Sequence, residues 1–257
     1  MNAIVSLIRG HDDLKKYDLI IGRNLKIYEF VNQKFSQDYP IVLFHEGNID
    51  ESQQQYIREK SGPQTIEFVD ISDTWNKSSG GYEAMCRFNS YDIWNYCKKY
   101  ECIFRIDDDC YLTQCDEDPF SLIGNNEFLR SIYFDESHGP TNATLPVFIQ
   151  NLIGVHPSSF YNHRFPYTNV LLSRVDFWLD VKVNRVLKEI SYSQFQAQYR
   201  WGDLPILGSL LNIFAPGRVG KLNGIKYDHV SHGTIIDCTT ENCSWVENYN
   251  EWVKNYE

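Results

Sequence analysis

Apolar segments alternate with amphipathic ones along the first half of the chain. Short apolar or alternating runs predict four strands, at residues 3–8, 40–44, 65–71 and 102–106. Helices are predicted between them, at residues 14–31, 49–60 and 82–100. Strands and helices in this order form parallel βαβ units with helices on both faces of the sheet. The pattern therefore predicts an α/β fold with a mainly parallel central sheet flanked by helices.

The pattern is less regular in the second half of the chain. It predicts a strand at residues 128–134 and helices at residues 175–190 and 204–214. Residues 137–165 are richer in Gly, Pro, Asn and His, which favours loops around a short helix at residues 145–153. Because no repeat, low-complexity tract or linker divides the sequence, we expect a single domain over residues 1–257.

Composition and charge narrow the class of protein. Hydrophobic residues make up 42% of the 257 positions, which is enough for a folded domain with a core. The formal net charge of -10 disfavours a general binder of nucleic-acid backbones, although a single basic pocket for a nucleotide is compatible with it. No apolar run approaches the ~20 residues of a membrane-spanning helix. We therefore expect no nucleic-acid partner and no membrane span.

The N-terminus and the cysteines bear on the cellular compartment. Charged residues follow residues 3–8 at once, so this segment predicts a strand and not a signal peptide. Most of the seven cysteines stand beside hydrophobic positions, which favours buried thiols in a reducing compartment. A Cys238–Cys243 disulfide is the alternative. Together these features favour a cytoplasmic protein.

Three consecutive aspartates, Asp107, Asp108 and Asp109, follow directly after the predicted strand at residues 102–106. In open α/β sheets, ligands bind beyond the carboxyl ends of the strands. Carboxylates at i and i+2 can share a divalent cation, which would neutralise a diphosphate leaving group. The alternative is a solvated acidic turn, and residues 116–118 form a competing acidic triplet nearby. The position at a strand end leaves both interpretations open.

Other candidate residues each allow two interpretations. His229 could complete a metal site with the triplet, or could be a surface or capping histidine. Asp203 could cap a predicted helix or bind a sugar hydroxyl, and Trp201 could stack on a sugar or belong to the core. Arg9 and Arg87 could bind phosphate or form structural ion pairs. Spacing alone favours the cap for Asp203 and the core for Trp201.

Six short segments resemble, in their order and spacing, the motifs of the fungal α-1,2-mannosyltransferases. These segments are residues 85–90 (MCRFNS), 104–109 (FRIDDD), 115–116 (CD), 176–178 (DFW), 200–205 (RWGDLP) and 227–229 (YDH). The resemblance covers roughly residues 3 to 230, and residues 5–9 fit the first strand of the family. It implies a GT-A-like nucleotide-sugar-binding fold, with residues 1–135 as the nucleotide-binding half and residues 136–257 as the acceptor-binding half. It also implies retaining transfer of mannose from GDP-mannose to a hydroxyl of a glycan or glycoconjugate, with Mn²⁺ or another divalent cation as the cofactor.

The resemblance further implies roles for individual residues. Asp109 and His229 match the metal-binding positions of the family. Four further side chains are expected to contact the donor: Arg9, Arg87, Asp107 and Asp108. Asp107 takes the position of a family glutamate, and it or Asp108 would contact the ribose or the water shell of the metal.

Two catalytic candidates follow from the same comparison of motifs. Asp203 lies in the family's Arg-Trp-Gly-Asp motif and would orient the acceptor hydroxyl, while Asn169 matches an asparagine of a second motif. Leu171 stands where that motif has a glutamate once proposed as the nucleophile. Because leucine cannot be a nucleophile, either the leaving phosphate acts as base in a front-face attack, another residue replaces the glutamate, or the protein is inactive.

Two other functions therefore remain open at this point. The first is transfer from another nucleotide sugar, either a UDP-sugar or a different GDP-sugar. The second is a degenerate carbohydrate- or nucleotide-binding protein without turnover, which Leu171 favours. The sequence also shows no N-terminal membrane anchor or stem of the kind found in the family, so we expect a soluble cytoplasmic relative.

Overall fold

The computed structural model describes residues 1–75 and 80–256. The strands in these residues are β1 (Ala3–Leu7), β2 (Ile41–His45), β3 (Ile66–Asp70), β4 (Cys102–Ile106), β5 (Cys110–Cys115), β6 (Phe128–Arg130), β7 (Tyr133–Asp135), β8 (Arg164–Pro166), β9 (Val170–Arg174), β10 (Val219–Lys221), β11 (Ile225–His229), β12 (Thr234–Asp237) and β13 (Asn242–Trp245). The α-helices are α1 (Asp18–Ile27), α2 (Glu51–Lys60), α3 (Gly81–Arg87), α4 (Ile93–Tyr96), α5 (Gly139–Ile153), α6 (Val175–Leu179), α7 (Val181–Tyr192), α8 (Gln194–Gln198), α9 (Asp203–Phe214) and α10 (Tyr249–Trp252).

The centre of the molecule is a seven-stranded sheet in the order β10-β6-β9-β4-β1-β2-β3. Strand β9 runs antiparallel to its neighbours β4 and β6, and the other neighbouring pairs are parallel. All four strands predicted in the first half are present, and the α/β prediction with a mainly parallel sheet is confirmed. This topology places the carboxyl ends of β1, β2 and β4 at one edge, where the acidic triplet begins.

A second sheet lies beside this edge. Its four antiparallel strands have the order β13-β12-β11-β5. Strand β5 starts directly after the turn at residues 107–109, so the small sheet is attached to the carboxyl end of β4. Sequence analysis predicts none of these strands, because they are short and partly polar. The small sheet nevertheless positions two of the candidate residues, Asp109 just before β5 and His229 at the end of β11.

Three predicted elements of the second half differ from the structure. The predicted strand at residues 128–134 is two strands, since β6 joins the central sheet while β7 leaves it to pair with β8. The predicted helix at residues 175–190 is interrupted at Asp180, whose side chain accepts from the backbone N–H groups of Lys182 and Val183 and so caps α7. Helix α5 is longer than predicted because Pro140 lies in its first turn, where proline is compatible with a helix.

Two hydrophobic clusters cover the two faces of the central sheet. Alternate residues of β1 belong to different clusters, with Val5 in one and Ile4 in the other. The first cluster includes a stacked pair of indoles, Trp94 and Trp178, whose ring centroids are 4.9 Å apart. The core is thus formed mainly by helix-to-sheet packing, which holds the strand ends in fixed positions.

The structure also bears on the predictions about the cysteines and about a membrane span. All seven cysteines lie in the described part of the chain and are free; six are buried, and Cys243 is exposed. The alternative of a Cys238–Cys243 disulfide is therefore wrong for this structure. None of the described helices combines the length and apolar character needed to cross a membrane.

Candidate active site

Asp109 and His229 meet at the junction of the two sheets. Asp109 precedes β5, and His229 is the last residue of β11, where it lies opposite Cys110 in the antiparallel ladder. Pairing of β5 with β11 brings His229 Nε2 to 3.2 Å from Asp109 Oδ2. The two predicted metal-binding residues are therefore neighbours in space.

Hydrogen bonds keep the Asp109 side chain ionised. Burial alone would raise the pKa of Asp109, but hydrogen bonds from His229 and from the hydroxyl of Ser231 outweigh it and lower the pKa to about 2. Sequence analysis did not identify Ser231, which lies two positions after His229. Asp109 is thus a charged carboxylate at neutral pH, oriented by His229 and Ser231.

Asn169 holds the imidazole of His229 from behind. Asn169 Oδ1 accepts hydrogen bonds from the Tyr227 hydroxyl, at 2.9 Å, and from the backbone N–H of Val170, at 3.0 Å. This fixes the orientation of the amide, so that Asn169 Nδ2 faces His229 Nδ1 at 3.1 Å. The buried side chain of Asn169 therefore positions His229, in the manner of the outer residues around a metal site.

The chemistry of these donors suits a divalent cation. Ligand atoms of Asp109, Cys110 and His229 all lie within 4.8 Å of one another. Burial raises the pKa of the Cys110 thiol well above its usual value. Without a metal the thiol is therefore protonated at neutral pH, and the Asp109 carboxylate and the His229 imidazole are the other two donors of this group.

Arg105 connects the other end of the triplet to helix α9. Its buried guanidinium donates through Nε to Asp107 Oδ1 at 3.0 Å and through Nη1 to Asp203 Oδ2 at 2.9 Å. Burial raises the pKa of Asp107 to about 7, although Arg105 acts in the opposite direction. Sequence analysis missed Arg105. The signal was present, because it is the one charged residue in the otherwise apolar strand Cys102–Ile106.

Asp203 is not the helix cap that spacing favoured. The N-cap of α9 is Gly202, and Asp203 is the first helical residue, with its carboxylate bonded to Arg105. Trp201 is buried and donates through Nε1 to the Thr144 hydroxyl at 2.8 Å, so its predicted place in the core is confirmed.

Asp108 turns toward the end of β1. Burial raises the pKa of Asp108 to about 6, with a further contribution from Asp109, while Arg23 and Arg9 act in the opposite direction. Arg9 is exposed just beyond β1, as its position at a strand end predicted. Arg23 is buried and donates to the carbonyl of Ile106 at 3.2 Å, which ties α1 to the end of β4.

Two adjoining cavities meet at the triplet. The larger, of about 610 Å³, is lined by seven of the eight predicted site residues: Arg9, Asp107, Asp108, Asp109, Asn169, Asp203 and His229. The smaller, of about 270 Å³, shares Arg9, Asp108 and Asp109 with it. Glu46, at the end of β2, also lines the larger cavity. The strand-end rule that identified the triplet would have found Glu46 as well.

Arg87 is the exception among the predicted site residues. Its Nε lies 3.3 Å from Asp92 Oδ2, and its guanidinium lies 5.0 Å from the ring centre of Tyr192. It does not line either of these cavities. The interpretation of Arg87 as part of a structural ion pair therefore fits this structure, and contact with the donor stays a prediction.

Leu171 offers no polar group to the site. It is fully buried on β9, directly opposite Arg105 of β4, and belongs to the first hydrophobic cluster. The family glutamate thus has no counterpart at this point of the sheet.

Comparisons with known proteins agree with this architecture. The chain is 23% identical to an O-glycoside α-1,2-mannosyltransferase of Schizosaccharomyces pombe, over 97% of this chain and 76% of that protein. The chain is thus similar to a fungal α-1,2-mannosyltransferase over nearly its whole length. No protein-family profile matches the chain. The resemblance stated from the motifs is thereby confirmed, and the enzyme class that it implies, a glycosyltransferase, is supported by the same relationship.

Solved structures show the same fold. The mannosyltransferase Ktr4p of S. cerevisiae superposes with a TM-score of 0.77 at 19% identity, over 95% of this chain and 74% of that one. Core-mannan synthase A of Aspergillus fumigatus, in an Mn/GDP form, superposes with a TM-score of 0.72 at 17% identity, over 89% of this chain and 74% of that one. The GT-A-like fold is thereby confirmed.

Proposed function

We propose that this protein is a metal-dependent, retaining glycosyltransferase that transfers mannose from GDP-mannose to a hydroxyl of a glycan or glycoconjugate. The contact between ionised Asp109 and His229, at the meeting point of two cavities, carries this proposal. Similarity to an α-1,2-mannosyltransferase supports mannose as the sugar. The Mn/GDP form of core-mannan synthase A, which has the same fold, supports the nucleotide and the metal.

Asp109 and His229 would hold Mn²⁺. A carboxylate oxygen and an imidazole nitrogen are both ligands that this ion accepts. When bound, the ion supplies positive charge that stabilises the diphosphate as it leaves. Asn169 would keep His229 in the orientation that this requires, and Asp107 or Asp108 would contact the ribose or the coordinated water.

The donor would lie across the junction of the two cavities. The cationic side chains at the smaller cavity, Arg9 and Lys16, favour the phosphate and nucleoside end. The apolar side chains of Leu19 and Ile20 in the same wall would contact the base. The larger cavity, rich in carboxylates and amides, would then take the transferred sugar and the acceptor.

Residues from both halves of the chain line each cavity, so both proposed halves would contribute to each binding site. The smaller cavity includes Val230, Tyr249 and Val253 from residues 136–257. The nucleotide-binding half alone would therefore not form a complete nucleotide site.

The apolar side chain of Leu171, at the position where the family has a glutamate, favours a front-face mechanism. Leu171 cannot attack the sugar, and Arg105 holds Asp203 at the cavity wall through Oδ2. We infer that the leaving phosphate takes the proton of the attacking hydroxyl, while the Asp203 carboxylate orients that hydroxyl. The new glycosidic bond forms on the face from which the phosphate departs, which retains the anomeric configuration.

A donor screen tests the proposal. Purified protein with Mn²⁺, or with EDTA, is given GDP-mannose, GDP-fucose, UDP-glucose, UDP-galactose and UDP-GlcNAc, and the released nucleoside diphosphate is measured. We expect manganese-dependent release of GDP from GDP-mannose. Release of UDP from a UDP-sugar instead would agree with the proposed site but contradict GDP-mannose as the donor.

Leu171 gives a specific reason to consider a binding protein without turnover. Thermal unfolding with GDP and Mn²⁺, measured beside turnover assays with methyl α-mannoside and with α-1,2-mannobiose as acceptors, separates the two functions. Stabilisation by GDP and Mn²⁺ without release or transfer would favour the binding protein.

A further inference from the structure

Phe134 is an exposed aromatic side chain in the wall of the larger cavity. It lies on β7 with 48% of its surface exposed. One face of its ring stacks on Tyr167, with the centroids 4.8 Å apart and the planes 17° apart. A single exposed phenylalanine needs no explanation. An exposed ring that is stacked on one face and opens into a site is a different case, because the other face is available to a ligand.

The strand that carries this ring is firmly held. The neighbouring Tyr133 lies under the guanidinium of Arg130, at 3.9 Å from the ring centre. In the β7–β8 ladder, Phe134 lies opposite Phe165, which is fully buried. Phe165 packs directly over Gly208 of α9, where a Cβ atom would lie 2.4 Å from its ring. The strand that carries Phe134 is thus anchored by its neighbours before any ligand arrives.

The stacked rings lead away from the metal-binding residues. Tyr167 contacts both Phe134 and His229: one face of its ring stacks on Phe134, and its hydroxyl lies 3.3 Å from His229 Nδ1. The open face of Phe134 is the one turned away from Tyr167. A ligand on that face would therefore lie one aromatic ring further from the Tyr167–His229 contact than Phe134 does, beside the sugar that reacts at the diphosphate and not in its place.

The polar groups beside Phe134 suit a neutral sugar. Asp135, Glu136 and Ser137 follow it in sequence and line the same cavity. Carboxylates accept hydrogen bonds from sugar hydroxyls and repel acidic sugars. Among the described lining residues, the two arginines of this cavity, Arg9 and Arg105, belong to its other parts.

We propose that the open face of Phe134 binds a neutral pyranose of the acceptor glycan, one sugar away from the hydroxyl that reacts. The C–H groups on the apolar face of a pyranose would meet the negative face of the ring, and hydroxyls at its edge would donate to Asp135 or Glu136. This inference rests on the proposed function. It adds that the acceptor is a disaccharide or longer glycan, and not a monosaccharide or a lone hydroxyl amino acid.

Binding measurements test this directly. The affinities of α-1,2-mannobiose and of methyl α-mannoside are measured by calorimetry in the presence of GDP and Mn²⁺, for the wild type and for Phe134→Leu. Leucine keeps the apolar bulk and removes the aromatic face. We expect wild type to bind the disaccharide more tightly than the monosaccharide, and the variant to lose about fivefold to tenfold in affinity for the disaccharide only.

Two controls make the outcome decisive. Phe134→Trp retains an aromatic face and should keep the preference for the disaccharide, whereas Trp245→Ala removes an exposed aromatic ring outside these cavities and should change nothing. Equal affinity of the wild type for the two acceptors, or an equal loss for both in Phe134→Leu, would overturn the proposal that Phe134 binds a sugar of the acceptor. Failure of the proposed function shows separately, as absence of manganese-dependent GDP release in the donor screen.

Discussion

Asp107 and Asp109 belong to one acidic triplet, yet the fold gives them opposite properties. The pKa of Asp109 is lowered to about 2, and that of Asp107 is raised to about 7. Asp109 receives hydrogen bonds from His229 and Ser231, which favour the charged form. Asp107 is half-buried and shares a single guanidinium with Asp203.

The difference teaches that composition does not assign roles within such a triplet. The partners that decide the roles come from distant segments of the chain: the end of β11 for Asp109, and β4 and α9 for Asp107. One end of the triplet is arranged for a cation, and the other is arranged around a buried arginine. Four experiments test this division.

The largest effect is expected from Asp109→Asn, which removes the charged metal ligand. Manganese-dependent GDP release from GDP-mannose should fall about 1000-fold, while the circular dichroism spectrum stays that of wild type. Asp107→Asn should keep manganese affinity within about threefold of the wild type, because Asp107 is bonded to Arg105 and not to His229. Asp116→Asn, in the exposed second triplet, is the control. Wild-type release by Asp109→Asn would remove the metal assignment.

Next in size is the loss of Arg105. Arg105→Gln leaves two carboxylates, those of Asp107 and Asp203, without their cationic partner in a buried setting. We expect the free energy of unfolding, measured in urea, to fall by about 3 kcal/mol. Lys26→Gln, which breaks an exposed pair with Glu29, should cost less than about 1 kcal/mol. Similar losses for the two variants would contradict a stabilising role of Arg105 between Asp107 and Asp203.

A smaller effect is expected at Asn169, which contacts His229 without being a ligand. Asn169→Ala should weaken manganese binding about 10-fold to 100-fold, because the imidazole loses the partner that orients it. Calorimetric titration with Mn²⁺ alone measures this. Asn242→Ala, at an exposed position on β13, is the control. Unchanged manganese affinity in Asn169→Ala would show that Tyr167 and the β11 backbone suffice to hold His229.

The smallest effect concerns the pH dependence of stability in EDTA. The pKa of Asp107 is higher in the folded protein than in an unfolded chain, so between about pH 4 and pH 7 the folded state binds the extra proton. Stability should therefore fall as the pH rises through this window, by at most about 1.4 kcal/mol per pH unit from this residue. The stabilisation from Asp109 has the opposite sign, and it is lost only as the pH falls below about 4.

Asp107→Asn isolates the contribution of this residue. The slope of unfolding free energy against pH between pH 4 and pH 7 should become shallower in the variant. Part of the slope should remain, because the pKa of Asp108 is also raised, to about 6. A slope equal to that of the wild type would contradict the raised pKa of Asp107.

Local pattern was sufficient for one part of the site and insufficient for the other. The triplet and Arg9 were identified correctly as strand-end residues, because apolar runs mark the ends of β4 and β1 and the parallel topology aligns those ends. The contact between Asp109 and His229 depends instead on the β5–β11 ladder, whose strands are short and lie far apart in sequence. No local periodicity marks such a pairing, so residue chemistry left the role of His229 open and the family motifs favoured the metal site.

The same limit explains the errors. Arg87 and Arg105 are both arginines near apolar residues, and the sequence does not tell which of them finds its carboxylates in the cleft. Asp203 looked like a cap because it begins a helix, but Gly202 occupies the capping position and leaves the carboxylate for Arg105. Tertiary partners, which the sequence does not reveal, decide each of these cases.

The ladder that joins β5 to β11 has a consequence for how the chain folds and unfolds. Asp109 and Ser231 are 122 positions apart, so their segments meet only after a long loop has closed. A cation held by Asp109 and His229 would act as a reversible cross-link across that loop. At a metal concentration 100 times its dissociation constant, such a link contributes about 2.7 kcal/mol to stability. Supply of the metal would then govern the lifetime of the folded protein as well as its chemistry.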